Sequence, residues 1–362
     1  MKHNISKLIS LALLFSACNV SDSEISINKQ EIDLSDFFVY TTADDSKNAK
    51  MTNTKDSRRN CYTMTNLNRL LDENPGLEQS MYAIEYQTRK YIASKKPSGT
   101  PGGGPNTDPN PTPEPDPVPY TGVITIPLVI NIIEQYYGQV TDAQVESQIA
   151  ILNEDFNNLN PNTSKKVPGE FANRVADFEI TFSDNPTIIR KTSSKASWGT
   201  RDAMKSSKKG GIDATDPAHN LNIWVCQIGG GVLGYAQFPG GPSATDGVVI
   251  GIDYFGETSG PYGDGRTATH EVGHWLNLRH IWGDGGCSYD DFVQDTPTSD
   301  GPNYGCPIYP IVACGSNDMT MNYMDYVYDD CMFMFTIGQN ERSRALFASD
   351  GYRSTFIDWT SN

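Results

Sequence analysis

His270-Glu271-Val272-Gly273-His274-Trp275-Leu276-Asn277-Leu278-Arg279-His280 is the stretch on which the fold of this chain turns. On a helix, His270 and His274 stand one turn apart on the same face, so both imidazoles can reach one ion. Glu271 projects beside them, where a carboxylate can take a proton from water. Zinc favours four ligands, and a catalytic zinc keeps one position for water, so three protein ligands are needed. His280 is the third, but it lies six residues beyond His274, too far for one straight helix to present. The chain must therefore turn sharply after Leu276. Asn277 stands where that turn is required, and Asn tolerates left-handed backbone better than most residues with a β-carbon. Three of the five histidines lie at this spacing, and His219 reads as an ordinary surface or loop histidine.

Outward from this segment the pattern is α/β. Val123 to Ile133 is an almost continuous apolar, β-branched run, as a buried strand requires. Thr141-Asp142-Ala143-Gln144 is a capping box, followed by Val145, Ile149, Leu152 and Phe156 on one helical face. Phe178, Ile180 and Phe182 alternate as a strand does. Leu221 to Cys226, Val232 to Phe238 and Val248 to Phe255 read as further strands. A helix is predicted from about Thr267 to Leu276, and Thr336-Ile337-Gly338-Gln339 opens a closing helix. Between these two helices lies a long loop rich in Gly, Asp, Pro and Cys, which needs covalent staples to stay ordered.

Toward the N-terminus, residues 97–119 form a Pro- and Gly-rich linker and a domain boundary. Residues 61–94 carry two helical patterns broken at Asn74-Pro75-Gly76. Residues 18–55 are polar, without sustained periodicity, and read as a disordered tether. Lys2 and Lys7 precede a short apolar run, Leu8 to Phe15, which reads as a signal peptide over 1–17 rather than a membrane span. Phe15-Ser16-Ala17-Cys18 resembles a bacterial lipoprotein box, which would lipidate Cys18. The expectation is an exported chain, either a cell-envelope lipoprotein or extracellular, that meets a membrane only through such a lipid.

The net charge of −16 argues against a nucleic-acid partner, which needs clustered Lys and Arg. Seven cysteines is an odd number for an exported chain. Cys18 belongs to the signal, and Cys226 reads as a buried thiol in a strand. Cys287, Cys306, Cys314 and Cys331 form two disulfides, for which three pairings are open. Cys61 remains to be accounted for.

The zinc segment, with Asn277 where a Gly is usual, resembles the metzincin metallopeptidases. Asn322-Tyr323-Met324-Asp325-Tyr326 is similar to their Met-turn. The pappalysin (cytophagalysin-like) branch is indicated by His274-Trp275-Leu276, Gly234-Tyr235-Ala236-Gln237-Phe238-Pro239-Gly240, Asp295-Thr296-Pro297 and Cys331-Met332-Phe333. The resemblance covers roughly residues 56–95 and 120–350. It implies an α/β zincin with a twisted mixed sheet, an active-site helix and a disulfide-stapled C-terminal subdomain. It also implies a zinc endopeptidase acting on proteins or peptides, with Glu271 as general base and Met324 as hydrophobic floor. Tyr326 would be an oxyanion donor, its alternative being simple packing. A substrate strand at Gly231 to Phe238 would contribute Gly234 and Tyr235.

The same likeness favours Cys287 with Cys314 and Cys306 with Cys331. It implies structural calcium, for which Asp291 and Thr296 are the candidate ligands. It sets Asp330, with Asp329 as alternative, beneath the side chain that follows the scissile bond, which implies cleavage before Arg or Lys. Arg58-Arg59-Asn60-Cys61-Tyr62-Thr63-Met64 is similar to a propeptide segment whose Cys blocks zinc, though an unpaired surface thiol is the alternative. The implied organisation is an inhibitory propeptide over 56–96, the linker over 97–119 and a catalytic domain over 120–362. Maturation would then cut before Arg89, Lys90, Lys95 or Lys96. Two other classes share parts of the pattern. A binding lipoprotein without catalysis would have no need of Glu271 beside three histidines, and a small-amide hydrolase would need neither substrate strand nor latch.

Overall fold

The computed structural model describes residues 32–41, 61–95 and 117–359. The expected signal, Cys18, most of the tether, Arg58 to Asn60 and most of the linker lie outside the described residues. Helix α1 spans Thr63–Glu73 and α2 spans Leu77–Ser94. The break between them falls at Pro75-Gly76, where Gly76 takes φ 96°. After the linker come β1 (Ile124–Ile126), β2 (Leu128–Glu134), α3 (Asp142–Phe156), β3 (Ile180–Phe182), β4 (Thr187–Thr192) and β5 (Leu221–Cys226). They are followed by β6 (Gly234–Ala236), β7 (Val248–Gly251), α4 (Arg266–Trp275) and α5 (Ile337–Ala345).

The main sheet has the order β4-β2-β5-β7-β6. Strands β4, β2, β5 and β7 are parallel, and β6 runs antiparallel to β7 at the edge. Every residue of β2 and β5 is buried, as strands covered on both faces must be. One face packs on α3 and α4, with Ile130, Ile223, Val248 and Ile250 in the same core as Leu152, Ala268 and Val272. The other face buries Trp224, Cys226, Tyr235 and Val249 beneath Trp198, Met204 and Ile212.

Several sequence expectations need correction, among them the strand expected over Val232 to Phe238, which is confined to Gly234–Ala236. Val123 to Ile133 is not one strand. It breaks at Pro127, which has no N–H to give, and β1 pairs instead with β3 in a separate two-stranded sheet. Strand β7 ends at Gly251 and continues as a 3₁₀ turn, Ile252–Tyr254, rather than to Phe255. Residues 32–41, within the expected tether, pack firmly. Phe37 and Val39 are buried with Leu67, Leu70 and Met81, and Phe37 and Phe38 both meet the Phe292 ring at 5.0 Å.

Both capping boxes are present, Thr141 with Gln144 at α3 and Thr336 with Gln339 at α5. The long loop between α4 and α5 carries the crossed disulfides Cys287–Cys314 and Cys306–Cys331. Cys61 and Cys226 belong to neither, and both are buried. Among the described residues no helix is long and apolar enough to cross a membrane.

Candidate metal centre

Helix α4 is fully buried, and it delivers His270, Glu271 and His274 to one point beneath β6. Its end is built as the sequence requires. Asn277 takes φ 71°, and the N–H of Leu278 turns back to the carbonyl of Gly273 at 2.9 Å. The chain then brings His280 alongside the other two. The Nε2 atoms of His270 and His280 lie 3.2 and 3.1 Å from that of His274.

Each imidazole is fixed from behind by its Nδ1. His270 donates to the carbonyl of Tyr323 at 2.7 Å, His274 to that of Leu278 at 2.8 Å, and His280 to Asp284 Oδ1 at 2.5 Å. With each Nδ1 as donor, every Nε2 is left as an unprotonated lone pair aimed at a common centre. Burial and the neighbouring His280 hold His274 well below the ordinary histidine range, which keeps it a neutral ligand. Trp282 stacks on His280 with ring centroids 4.4 Å apart and fixes its plane.

Cys61 completes the cluster. Its Sγ lies 3.5 Å from His274 Nε2, and the cysteine and histidine ligand atoms all fall within 4.8 Å of one another. Tetrahedral zinc with ordinary bond lengths sets nitrogens about 3.3 Å apart and sulfur about 3.5 Å from nitrogen. The spacings about His274, 3.2 and 3.1 Å to the other nitrogens and 3.5 Å to sulfur, fit zinc. Among the described residues this is the one grouping of three or more such side chains that could hold a metal.

Cys61 is brought there by pairing with the sheet edge. It bridges Gly234 in parallel register, and Tyr62 N–H donates to the carbonyl of Gly234 at 3.1 Å. Ala236 N–H donates to Thr63 Oγ1 at 2.7 Å, and Asn66 Nδ2 donates to the carbonyl of Ala236 at 3.1 Å. Thr63 Oγ1 in turn donates to Glu271 Oε2 at 2.7 Å. The Tyr326 hydroxyl reaches the Cys61 carbonyl at 3.5 Å. Gly234 leaves little room for a side chain, because a β-carbon there would crowd Glu271 Cγ and the Val249 carbonyl, each at 3.0 Å, and Thr267 Cγ2 at 3.1 Å. Met324 lies under the helix, where a β-carbon on Gly273 would meet its sulfur at 2.5 Å.

Other expected residues fall elsewhere. Tyr235 points its side chain to the outer face of the sheet and hydrogen-bonds Asp202 at 3.1 Å, so only its backbone lies along the β6 edge. Asp330 is exposed and hydrogen-bonded to Asp264, whereas Asp329 is buried and accepts the N–H groups of Asp264 and Arg266, each at 3.1 Å. Thr296 Oγ1 donates to both Asp291 oxygens at 2.8 and 2.9 Å, and burial pushes the Asp291 carboxyl well above its ordinary range. His219 is exposed and pairs with Asp216. Sequence reasoning missed Asp284, although its position four residues after His280 was a usable signal. It also missed Asp155, which receives Tyr323 at 2.6 Å and Thr269 at 2.7 Å and so ties the Met-turn to α4.

A helix-borne histidine pair, a third histidine after a sharp turn, a Met-turn beneath and an antiparallel edge strand above define a metalloprotease of metzincin-like fold. A family model described as pregnancy-associated plasma protein-A, the peptidase M43 group, matches residues 207–348. Extracellular metalloprotease 1 of Coccidioides posadasii is 36% identical over 220 residues, 58% of this chain and 70% of the relative. An extracellular metalloprotease of Colletotrichum graminicola is 32% identical over 240 residues, 62% of this chain and 76% of the relative. Mature mirolysin of Tannerella forsythia, in complex with a cleaved peptide, is 42% identical with a TM-score of 0.63, covering 67% of this chain and 98% of that one. A promirolysin mutant from the same organism is 37% identical with a TM-score of 0.69, covering 82% and 97%. The chain belongs to the M43 (pappalysin) family of metalloproteases.

Proposed function

We propose that this metalloprotease is an exported zinc endopeptidase made as a latent precursor, with Cys61 as its latch. The observation that carries the reading is how the N-terminal segment meets the centre. Cys61 lies within ligand distance of the histidines, Thr63 covers the Glu271 carboxylate, and the Gly234 carbonyl and the N–H and carbonyl of Ala236 are all taken by the N-terminal segment. A thiolate in the fourth position excludes the water that hydrolysis needs. Residues 56–96 are then the propeptide, 97–119 the linker and 120–362 the catalytic domain. The likeness to a promirolysin supports this division.

Zinc held by His270, His274 and His280 supplies Lewis acidity toward a peptide carbonyl and acidity to water. Glu271 takes the proton from the attacking water and passes it to the leaving amine. Tyr326, which meets a backbone carbonyl in the latent chain, donates to the oxygen that gains charge. The Gly234 carbonyl and the N–H and carbonyl of Ala236 bind the substrate backbone by strand addition. Mirolysin's complex with a cleaved peptide supports peptide substrates for this chain.

Specificity for Arg or Lys after the cut rests on Asp330. Burial and the hydrogen bond with Asp330 hold Asp264 above the ordinary carboxylate range, and a cation placed there would favour its charged form. Structural calcium at Asp291 and Thr296 rests on family likeness. Export, with or without lipid on Cys18, is supported by the extracellular relatives. Of the expected maturation cuts, those before Lys95 and Lys96 are favoured over those before Arg89 and Lys90. Arg89 and Lys90 lie inside α2, Arg89 is tied to Glu85 and Asp36, and Lys90 is buried, whereas a protease needs an extended strand.

The test is casein digestion by the full-length, zinc-loaded chain before and after limited proteolysis. Activity should appear once the cut chain is diluted, vanish with chelator and return with zinc. Hydrolysis of a small amide with casein left intact would overturn the endopeptidase reading, and hydrophobic residues preferred after the cut would overturn the role of Asp330.

A further inference from the structure

We propose that Asp202 is the floor of a second substrate subsite, one that takes an Arg or Lys side chain at the outer side of β6, and that Arg69 fills it in the latent chain. The proposal rests on reading β6 as the substrate strand.

Arg69, on α1, donates to Asp202 Oδ2 and, at 2.5 Å, to Asn66 Oδ1. Asn66 is the residue that caps the Ala236 carbonyl, so one side chain separates this guanidinium from the strand edge. Asp202 belongs to the catalytic body and is organised by it. Its Oδ1 receives the Tyr235 hydroxyl at 3.1 Å and Lys205 Nζ at 3.2 Å, and Lys205 also donates to the Thr245 carbonyl at 2.7 Å. The Lys205 side chain has no exposure and that of Asp202 has 7%, so neither is free to swing away. Asp202 further holds φ 55°, a conformation that side-chain-bearing residues adopt sparingly and that concentrates at functional sites.

The two oxygens therefore differ. Oδ1 is committed within the body, while Oδ2 faces the segment that must leave. Burial favours the neutral acid, but Lys205 and Arg69 outweigh it and hold the carboxyl below its ordinary range, so it stays charged. Departure of α1 exposes Oδ2 together with the edge groups of Gly234 and Ala236. A substrate strand alternates its side chains across the sheet plane, and those on the outer side run toward Tyr235 and Asp202. A carboxylate held rigid through Oδ1, with Oδ2 open, selects a guanidinium or ammonium over a neutral side chain. The neighbouring Arg201–Glu73 pair has Arg201 exposed and its partner on the departing segment, so it serves only as an anchor.

The experiment uses the activated full-length chain, zinc-loaded, with peptide pairs that differ only by Arg or citrulline at each position around the cut. One position, distinct from that directly after the cut, should lose on the order of 10–100-fold in kcat/KM with citrulline. Asp202→Asn should remove that difference and leave the preference directly after the cut unchanged. Equal loss in Asp202→Asn and parent, or no second Arg-sensitive position in the parent, would reduce Asp202 to an anchor for the propeptide. The parent's citrulline series alone decides the matter if the variant fails to fold. Failure of both proteins to cleave any peptide removes the endopeptidase reading, and the subsite with it.

Discussion

Glu85 and Arg342 offer a direct test of what holds the N-terminal segment down. Glu85 lies on α2, Arg342 on α5, and their side chains are 1% and 2% exposed with N and O 2.6 Å apart. A second contact of 3.2 Å makes the pair bidentate, and Arg342 Nε also donates to the Asn277 carbonyl, in the turn between the zinc ligands. Glu85→Leu leaves a buried guanidinium without its carboxylate, which costs about 3–5 kcal/mol. Six buried apolar residues of α1 and α2, Met64, Leu67, Leu70, Leu71, Leu77 and Met81, contribute about 1.5–3 kcal/mol each on docking, so the segment should loosen rather than leave. The docked-to-open ratio should fall by about two to three and a half orders of magnitude. Thiol labelling of the buried Cys61 in the intact chain reads that ratio, and its rate should rise accordingly. A rate within threefold of the parent would refute the reasoning. Glu85→Leu combined with Arg342→Met should recover much of the loss, because no charge is then left buried.

The same pair sets a pH dependence. Burial tends to raise the Glu85 carboxyl, but Arg342 and Arg89 prevail and hold it below the model-compound value of 4.5. Its contribution to docking is complete above that value and is lost as pH falls through the lowered one. Divided by the rate of a free thiol at the same pH, which removes the thiolate dependence of the chemistry, labelling should therefore accelerate in acid and stay flat from neutral pH upward.

Three further outcomes follow from the centre and its supports. Glu271→Ala should keep its zinc by metal analysis and digest casein at under about a hundredth of the parental rate, given the 10²–10⁴-fold worth of a general base. Cys61→Ala should show casein activity in the uncut chain, and latency equal to the parent's would dismiss the thiol as the latch. Replacing both Cys287 and Cys314 by Ser should lower stability by about 3 kcal/mol for a loop of 27 residues, read from the thermal midpoint; an unchanged midpoint would count against the staple.

The zinc segment was legible because its chemistry is carried by side chains at fixed helical spacing, and even the Asn277 turn could be inferred from the reach His280 needs. The capping boxes at Thr141 and Thr336 were legible because they are local. Strand β4 was not, because Thr187–Thr192 is a half-exposed edge that carries Arg190 and Lys191 and shows no clean alternation. Two of the three groups that orient the histidines are backbone carbonyls, of Tyr323 and Leu278, to which side-chain identity gives no clue. The alternation rule could have separated Gly234 from Tyr235, since adjacent strand residues face opposite sides. Residues 32–41 escaped because Phe37 and Phe38 find their partners only across the fold, at Phe292 and Arg279.

That short strand of contacts at 32–41 changes what a single proteolytic cut accomplishes. Phe38 lies under the Arg279 guanidinium at 4.8 Å and receives its hydrogen bond at 2.7 Å, while Asp36 clamps Arg89 at 2.5 Å. Cutting after residue 95 severs the covalent tie but none of these contacts, nor the core around Leu67 and Met81. What was an intramolecular association, favoured by a millimolar effective concentration, becomes an ordinary bimolecular one. On the proposed reading, the severed piece would then be an inhibitor in solution, obeying mass action against whatever substrate competes for β6. Enzyme in a confined space would stay restrained after cleavage, and the same enzyme diluted into its surroundings would be released.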